Sequence, residues 1–322
     1  GVFTPGAPNA SLFAQFRGLS AKGSRPFDQD ADGVVFSEGA GLLALRRLPD
    51  ALAAGDRIHA VIRGVALSSD GKSPSVMEPR EAGQVLAIRR AYEATGIDPA
   101  SVQFLEAHAT ATPVGDAVEV KAAARQLRGF PDGPRVGLGS LKAMIGHTGW
   151  AAGVASTLKM TAALQARTIP PQASFTAASP RLELESSRFE VATQPAAWPQ
   201  NRGGEPRRAA VNGFGFGGSN AHLVLEELEP GYHGALAAVA PVPGSRSTDQ
   251  TVVGACAPVS PAANGRFEAS ELALPDNVRI LPDVADHMDR GQVLGIIAAS
   301  RALRSLAGWE KLSEETGVVL GV

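Results

Sequence analysis

The 322-residue chain is 44% hydrophobic and 19% charged, with a formal net charge of -2. That balance excludes a disordered polymer and gives no overall field that would draw nucleic acid or an anionic membrane. The single cysteine, Cys256, excludes an intramolecular disulfide framework and a multi-cysteine metal site; it fits a reducing compartment, so the cytoplasm is the expected location. No apolar run reaches the roughly 18 residues that would predict a membrane span. Gly1-Val2-Phe3 has no basic region of the signal-peptide kind. With no initiator Met and an apolar run, Thr316 to Val322, at the other end, the chain is expected to be an internal piece of a longer polypeptide.

Up to about residue 230, helix and strand patterns alternate as in an α/β protein. Glu81 to Thr95 places Val85, Ile88 and Tyr92 on one helical face and stops at Gly96, a good residue just past a helix. A strand over Val102 to Leu105 follows and runs into Glu106-Ala107-His108-Ala109-Thr110-Ala111-Thr112-Pro113. The next helix is expected to start near Asp116, whose carboxylate would cap the free amides. His108 thus falls on a strand-to-helix loop, where α/β folds build their sites. Val136 to Leu138 reads as another strand, followed by Gly139-Ser140-Leu141-Lys142-Ala143-Met144-Ile145-Gly146-His147-Thr148, and Trp150 to Arg167 as a small-residue helix. Spacing alone leaves Lys142 open between a solvated surface lysine and a buried one that fixes the local charge. Ala209 to Asn212 enters the glycine run Gly213 to Ser219, and Leu223 to Leu228 leaves it, which predicts a hairpin at a sheet edge. Gly213 to Gly218 formally spells G-x-G-x-x-G, but the residues that follow favour a strand. A dinucleotide loop needs a helix there, so the glycines are read as a tight turn with amides free to donate. His59, His222, His233 and His287 are read as structural, because nothing around them in sequence converges.

Composition shifts near residue 230. Residues 231–270, rich in Ala, Pro, Gly and Ser, read as a linker, and 271–322 as the start of another domain, with helical spacing from Gly291 to Leu306 and a strand from Gly317 to Val322.

Together these residues resemble the β-ketoacyl synthase (ketosynthase) family of the thiolase-like fold. Its HGTGT-type motif is similar to His108 through Thr112, its GSxKxxIGH motif to Gly139 through His147, and its FGFGG-x-NAH motif to Phe214 through His222, in the family's order. Phe27-Asp28-Gln29-Asp30-Ala31-Asp32-Gly33 and Ser37-Glu38-Gly39-Ala40-Gly41 resemble the lead-in segment, so the likeness covers residues 1–230. The fold class it implies is α/β, a layered arrangement of two halves with five-stranded mixed sheets, here the end of the first half and all of the second. It also implies an acyltransferase that performs decarboxylative Claisen condensation of an acyl thioester with a malonyl unit, in a multidomain polyketide or polyunsaturated fatty acid synthase. In that pattern His108 and His147 donate to the enolate and Lys142 supports them. Phe216 gates the site and lends its N–H to an oxyanion hole, with Phe214 alongside, and Thr110 and Thr112 bond the pantetheine arm. No metal and no directly bound cofactor is implied. The phosphopantetheine arm of an acyl carrier protein brings the substrate, an upstream half supplies the nucleophilic cysteine, and the complete protein is a homodimer.

Cys256 has no cationic neighbour in sequence to lower its pKa, so the chain alone is expected to be inactive. A non-catalytic, chain-length-factor-like scaffold is the alternative. Two departures stand out: Ala109 and Ala111 replace glycines, harmless only if φ stays negative there. Ser156 replaces the acidic residue that stand-alone bacterial enzymes carry nine positions after the second histidine, which fits a multidomain synthase. Asp283 to Val322 resembles the opening of a second ketosynthase-like domain.

Overall fold

The structure, a computed structural model, describes residues 1–237 apart from 73, 74, 76, 130 and 131, together with the backbone of 251–259 and Ile297. In chain order the elements are β1 (Val2–Phe3), α1 (Ala7–Gln15), β2 (Gly39–Arg47), α2 (Leu48–Ala54), β3 (Ala60–Ser69), α3 (Glu81–Thr95), β4 (Phe104–Glu106), α4 (Pro113–Ala124) and β5 (Val136–Gly139). They continue with α5 (Lys142–Ile145), α6 (Ala152–Ala166), β6 (Thr168–Ile169), β7 (Phe189–Glu190), β8 (Ala196–Ala197), β9 (Arg208–Gly215), β10 (Ser219–Glu226), α7 (Pro230–Ala237) and β11 (Thr251–Val259). Among the described residues the main sheet runs β1-β2-β11-β3-β10-β9-β4-β5-β7.

Strands β3, β10, β9, β4 and β5 form the five-stranded mixed unit that the family pattern implies, extended on one side by β11, β2 and β1 and on the other by β7. Alternating side chains send the two faces of this unit into separate cores. Leu105, Ala210 and Val224 point to the face covered by α3 and α4, where Ile88, Tyr92, Val120 and Leu127 pack. Their neighbours Phe104, Ala209, Val211 and Leu225 point to the other face, against Met160, Ala163 and Leu164 of α6 and against Trp198. Helices on both faces explain why these strands read as continuous apolar runs.

Helix α3 has the bounds its periodicity predicts, and Gly96 ends it at φ 67°, a left-handed cap. The hairpin of β9 and β10 forms where the glycine run predicts, with a strand and not a helix after the turn. It does not lie at the sheet edge: β10 pairs antiparallel with β3, and β9 pairs parallel with β4. Both strands are apolar on two faces, which is the signature of an interior position. Helix α4 starts earlier than expected, at Pro113 after Thr112, and Asp116 caps nothing; it is buried in the first turn, where Phe27 N–H donates to its Oδ2 at 3.0 Å. Two elements, α7 from its second residue on and β11, fall inside the stretch 231–270 read as a linker, and Cys256 lies on β11 opposite Leu43 of β2. The helix and strand expected within 271–322, and the second ketosynthase-like domain they would open, lie outside the described residues.

The alanine departures separate. Ala109 keeps an ordinary backbone, whereas Ala111 has φ 63°. A left-handed residue with a Cβ costs about 1–2 kcal/mol, and glycine gives back roughly 0.5–1 kcal/mol of that through its looser unfolded chain. Ala111→Gly is therefore expected to stabilise the fold by about 0.5–1 kcal/mol. An unchanged or lower urea midpoint would contradict this.

Candidate active site

The parallel register of β9, β4 and β5 brings the three motif loops to one end of the sheet, the carboxyl ends of these strands. There a cavity of about 350 Å³ is lined by His108, Lys142, Asn212, Phe214 and Ser219, with Leu67 and Ala152 on its apolar wall. His108 and His147 meet edge to face, their ring centroids 5.3 Å apart. Phe36 stacks on His147 at 5.8 Å, and Val35 O accepts from His147 N–H at 2.7 Å, so the lead-in segment fixes the second histidine.

Lys142 is buried, which settles the alternatives its spacing leaves open. Burial lowers its pKa, while the nearby carboxyls of Glu106, Glu119 and Asp116 pull the other way. Phe214 is buried at the cavity wall, whereas Phe216 stands exposed at the turn, its ring 5.2 Å from Phe13. The hydroxyls of Thr110 and Thr112 lie 3.2 Å apart beside the first motif. Thr110, Thr112 and Phe216 do not line the cavity, and neither does His147, whose ring packs against that of His108.

Two buried glutamates tie the loops together, and neither stands out in the sequence. Glu106 accepts from Leu141 N–H at 2.6 Å, from Ser156 Oγ at 3.3 Å and from Lys159 Nζ at 2.6 Å, so it joins the strand before His108 to the start of α5, where Lys142 sits. Ser156 is thus served by a carboxylate that reaches it from β4. Glu119 accepts from the backbone N–H of His108 at 2.8 Å and of Ala109 at 2.7 Å, and from Asn212 Nδ2 at 2.8 Å, joining the first motif to the third. Ser140 Oγ adds a bond to Ala109 O at 2.9 Å. At the mouth, Asp70 holds the glycine turn: it accepts from Asn220 Nδ2 at 2.7 Å, and its N–H donates to Gly218 O at 2.8 Å. Gly218 has φ 76°, and a Cβ there would fall 2.6 Å from that of Asp70, so no other residue fits.

Burial, then the charge of Lys142, pushes His147 down to about 3 and His108 well below its usual 6.5. Both are neutral at pH 7, each with one N–H to give. Desolvation holds His222 at about 3 as well. From about pH 3 to 6.5 the unfolded chain binds protons on these histidines that the native chain refuses, so they make stability rise with pH. Asp116, raised by burial to about 7, and Glu119, also raised, act in the opposite sense. The histidines retain an excess of about one proton, worth ~1.4 kcal/mol per pH unit. Urea midpoints are expected to be lower at pH 4.5 than at pH 6; a flat or reversed trend would contradict neutral histidines.

A cavity that presents the neutral ring of His108, the buried side chain of Lys142 and glycine-turn amides, with neutral His147 packed against His108, is suited to stabilise an oxygen that becomes negative during reaction. The chain resembles solved ketosynthases in fold and sequence. The ketosynthase from module 6 of the bacillaene synthase from Bacillus subtilis 168 superposes with TM-score 0.68 at 36% identity, over 71% of this chain and 42% of that one. The oxazolomycin ketosynthase domain from Streptomyces albus gives 0.67 at 36% identity, over 71% and 41%. The fold is thus thiolase-like.

Family models match in order along the chain: "Beta-ketoacyl synthase, N-terminal domain" over residues 4–51, "Beta-ketoacyl synthase, C-terminal domain" over 59–176 and "Ketoacyl-synthetase C-terminal extension" over 179–278. The chain belongs to the β-ketoacyl synthase family. Among its relatives, a phenolphthiocerol/phthiocerol polyketide synthase from Mycobacterium tuberculosis is 37% identical over 310 residues, 94% of this chain and 16% of the relative. The highly reducing polyketide synthase azaB of Aspergillus niger is 45% identical over 204 residues, 63% of this chain and 8% of the relative. The chain thus spans a minor part of the length of these synthases. Among the described residues no helix is long and apolar enough to cross a membrane.

Proposed function

We propose that this chain is the histidine- and lysine-bearing part of a ketosynthase domain that makes carbon–carbon bonds by decarboxylative Claisen condensation in a multidomain polyketide synthase. The observation that carries the reading is that neutral His108 and buried Lys142 line one cavity, with the neutral ring of His147 in edge contact with His108. The acyl group is held as a thioester on a cysteine outside this sequence. A malonyl thioester, presented on the phosphopantetheine arm of an acyl carrier protein, loses carbon dioxide, and the electron pair of the broken C–C bond moves into an enolate. His108 and His147 donate N–H to the enolate oxygen, while Lys142 stabilises the growing charge. The enolate carbon attacks the acyl carbonyl, whose oxyanion takes the Phe216 N–H with Phe214 packed behind it. Collapse expels the cysteine thiolate and leaves a β-ketoacyl thioester on the carrier.

Thr110 and Thr112 hydroxyls hold the arm. The complete domain works as a cytoplasmic homodimer, residues 1–230 form its ketosynthase part, and the chain alone does not condense. His108 and Lys142 on one cavity, with His147 held against His108, weigh against a pure scaffold.

The test is an intact-mass and product assay on the parental domain, given an acyl thioester and then malonyl-carrier protein. An acyl adduct followed by carbon dioxide and a β-ketoacyl product is expected. An adduct without decarboxylation would overturn the reading.

A further inference from the structure

Behind the cavity, the buried histidine of the third motif takes part in no step of the proposed chemistry. His222 sits directly across from Asn212 in the β9–β10 register, and its Nδ1 lies 2.6 Å from Asn212 Oδ1. Its Nε2 lies 3.0 Å from the hydroxyl of Tyr92, on α3. Tyr92, His222, Asn212 and Glu119 are all buried, with His222 fully so. Buried polar groups must match donor to acceptor, and with Glu119 as a carboxylate the match has a single solution. Glu119 already accepts two backbone N–H groups, so Asn212 must turn its amide nitrogen toward Glu119, at 2.8 Å. Its carbonyl then faces His222, which must carry its proton on Nδ1. The Nε2 lone pair is left to accept from the Tyr92 hydroxyl. The neutral state of His222 agrees with this assignment.

We propose that Tyr92 and His222 are positioning residues for His108: the one-way chain from Tyr92 through His222 and Asn212 to Glu119 fixes the peptide of His108 at the cavity wall. Were His222 to take the other tautomer, the Asn212 amide would flip and set its oxygen against the Glu119 carboxylate. The peptide that aims His108 would then lose its anchor. This rests on the proposed decarboxylation, because His108 matters only if its N–H meets the enolate.

The experiment measures two half-reactions in the parental domain: acyl loading of the nucleophile, and carbon dioxide release from a malonyl thioester. For His222→Leu, decarboxylation kcat is expected to fall at least about tenfold, with KM little changed and acyl loading within about twofold. His222→Asn combined with Tyr92→Phe keeps a donor toward Asn212 and is expected to recover most of that loss. Tyr92→Phe alone removes one hydroxyl and serves if His222→Leu does not fold; it is expected to slow decarboxylation about threefold or more. A parallel fall in both half-reactions, as a merely structural role would give, overturns the proposal, as does Tyr92→Phe with unchanged decarboxylation. If His108→Ala itself decarboxylates normally, it is the functional reading that fails, whatever His222 does.

Discussion

Replacing His108 by alanine in the parental domain is expected to slow decarboxylation of a malonyl thioester by about 10²- to 10³-fold, the usual cost of losing one oxyanion donor in a dry site. The effect should be large because water cannot stand in cheaply: His108 lines the cavity beside Phe214 and the buried Lys142. Acyl loading, which draws on the glycine-turn amides, should change much less. His147→Ala should give a similar loss, since each neutral ring gives one N–H, and the double variant should lose less than the product of the two. Single-turnover release of labelled carbon dioxide measures this. A loss below tenfold in either variant would mean that the rings serve packing.

The second large effect is on stability. Glu119→Ala leaves three buried donors without an acceptor, the N–H groups of His108 and Ala109 and the Asn212 amide, and takes a counter-charge from Lys142. Each such donor costs about 1–3 kcal/mol. Some of this is recovered because burial already disfavours the carboxylate, so a net loss of about 3–5 kcal/mol is expected. Glu119→Gln is the sharper probe: it keeps the shape but sets an amide N–H against a backbone N–H, and about 2 kcal/mol should go. Urea unfolding with unchanged m-values reads both, and a shift under 1 kcal/mol for Glu119→Ala would refute the hub.

The difference between what is legible in the sequence and what is not is one of contact range. Helix α3 and its Gly96 stop are written in adjacent residues, as is the strand-to-helix loop that holds His108, and these appear where expected; His147 precedes α6 as expected, but the short helix α5 stands between it and β5. The interior position of the β9–β10 hairpin is set by β3 and β4, far away in the chain, and local pattern cannot show which strands a hairpin will join. Asp116 looks like a cap because it follows a loop; only the fold reveals that Phe27 N–H needs its carboxylate more. Glu106 and Glu119 read as ordinary charged residues, and nothing local says that each ends up buried among N–H donors. The one signal in the chain is that a Glu two residues before His108 closes an otherwise apolar strand. His222 reads as structural because nothing in sequence converges on it; in space Tyr92 and Asn212 do.

The glutamate ties also decide how such domains can be recombined. A chimaera with its crossover between residues 125 and 207 would combine Glu106 and Glu119 from one parent with Asn212 and His222 from the other. Nothing in the sequence near the crossover would look wrong. The hydrogen-bond partners of the two segments must nonetheless agree donor for acceptor, so they are inherited as one block. Crossovers upstream of Tyr92 or downstream of Glu226 leave that block whole, and libraries built there should keep far more active members than libraries cut inside it.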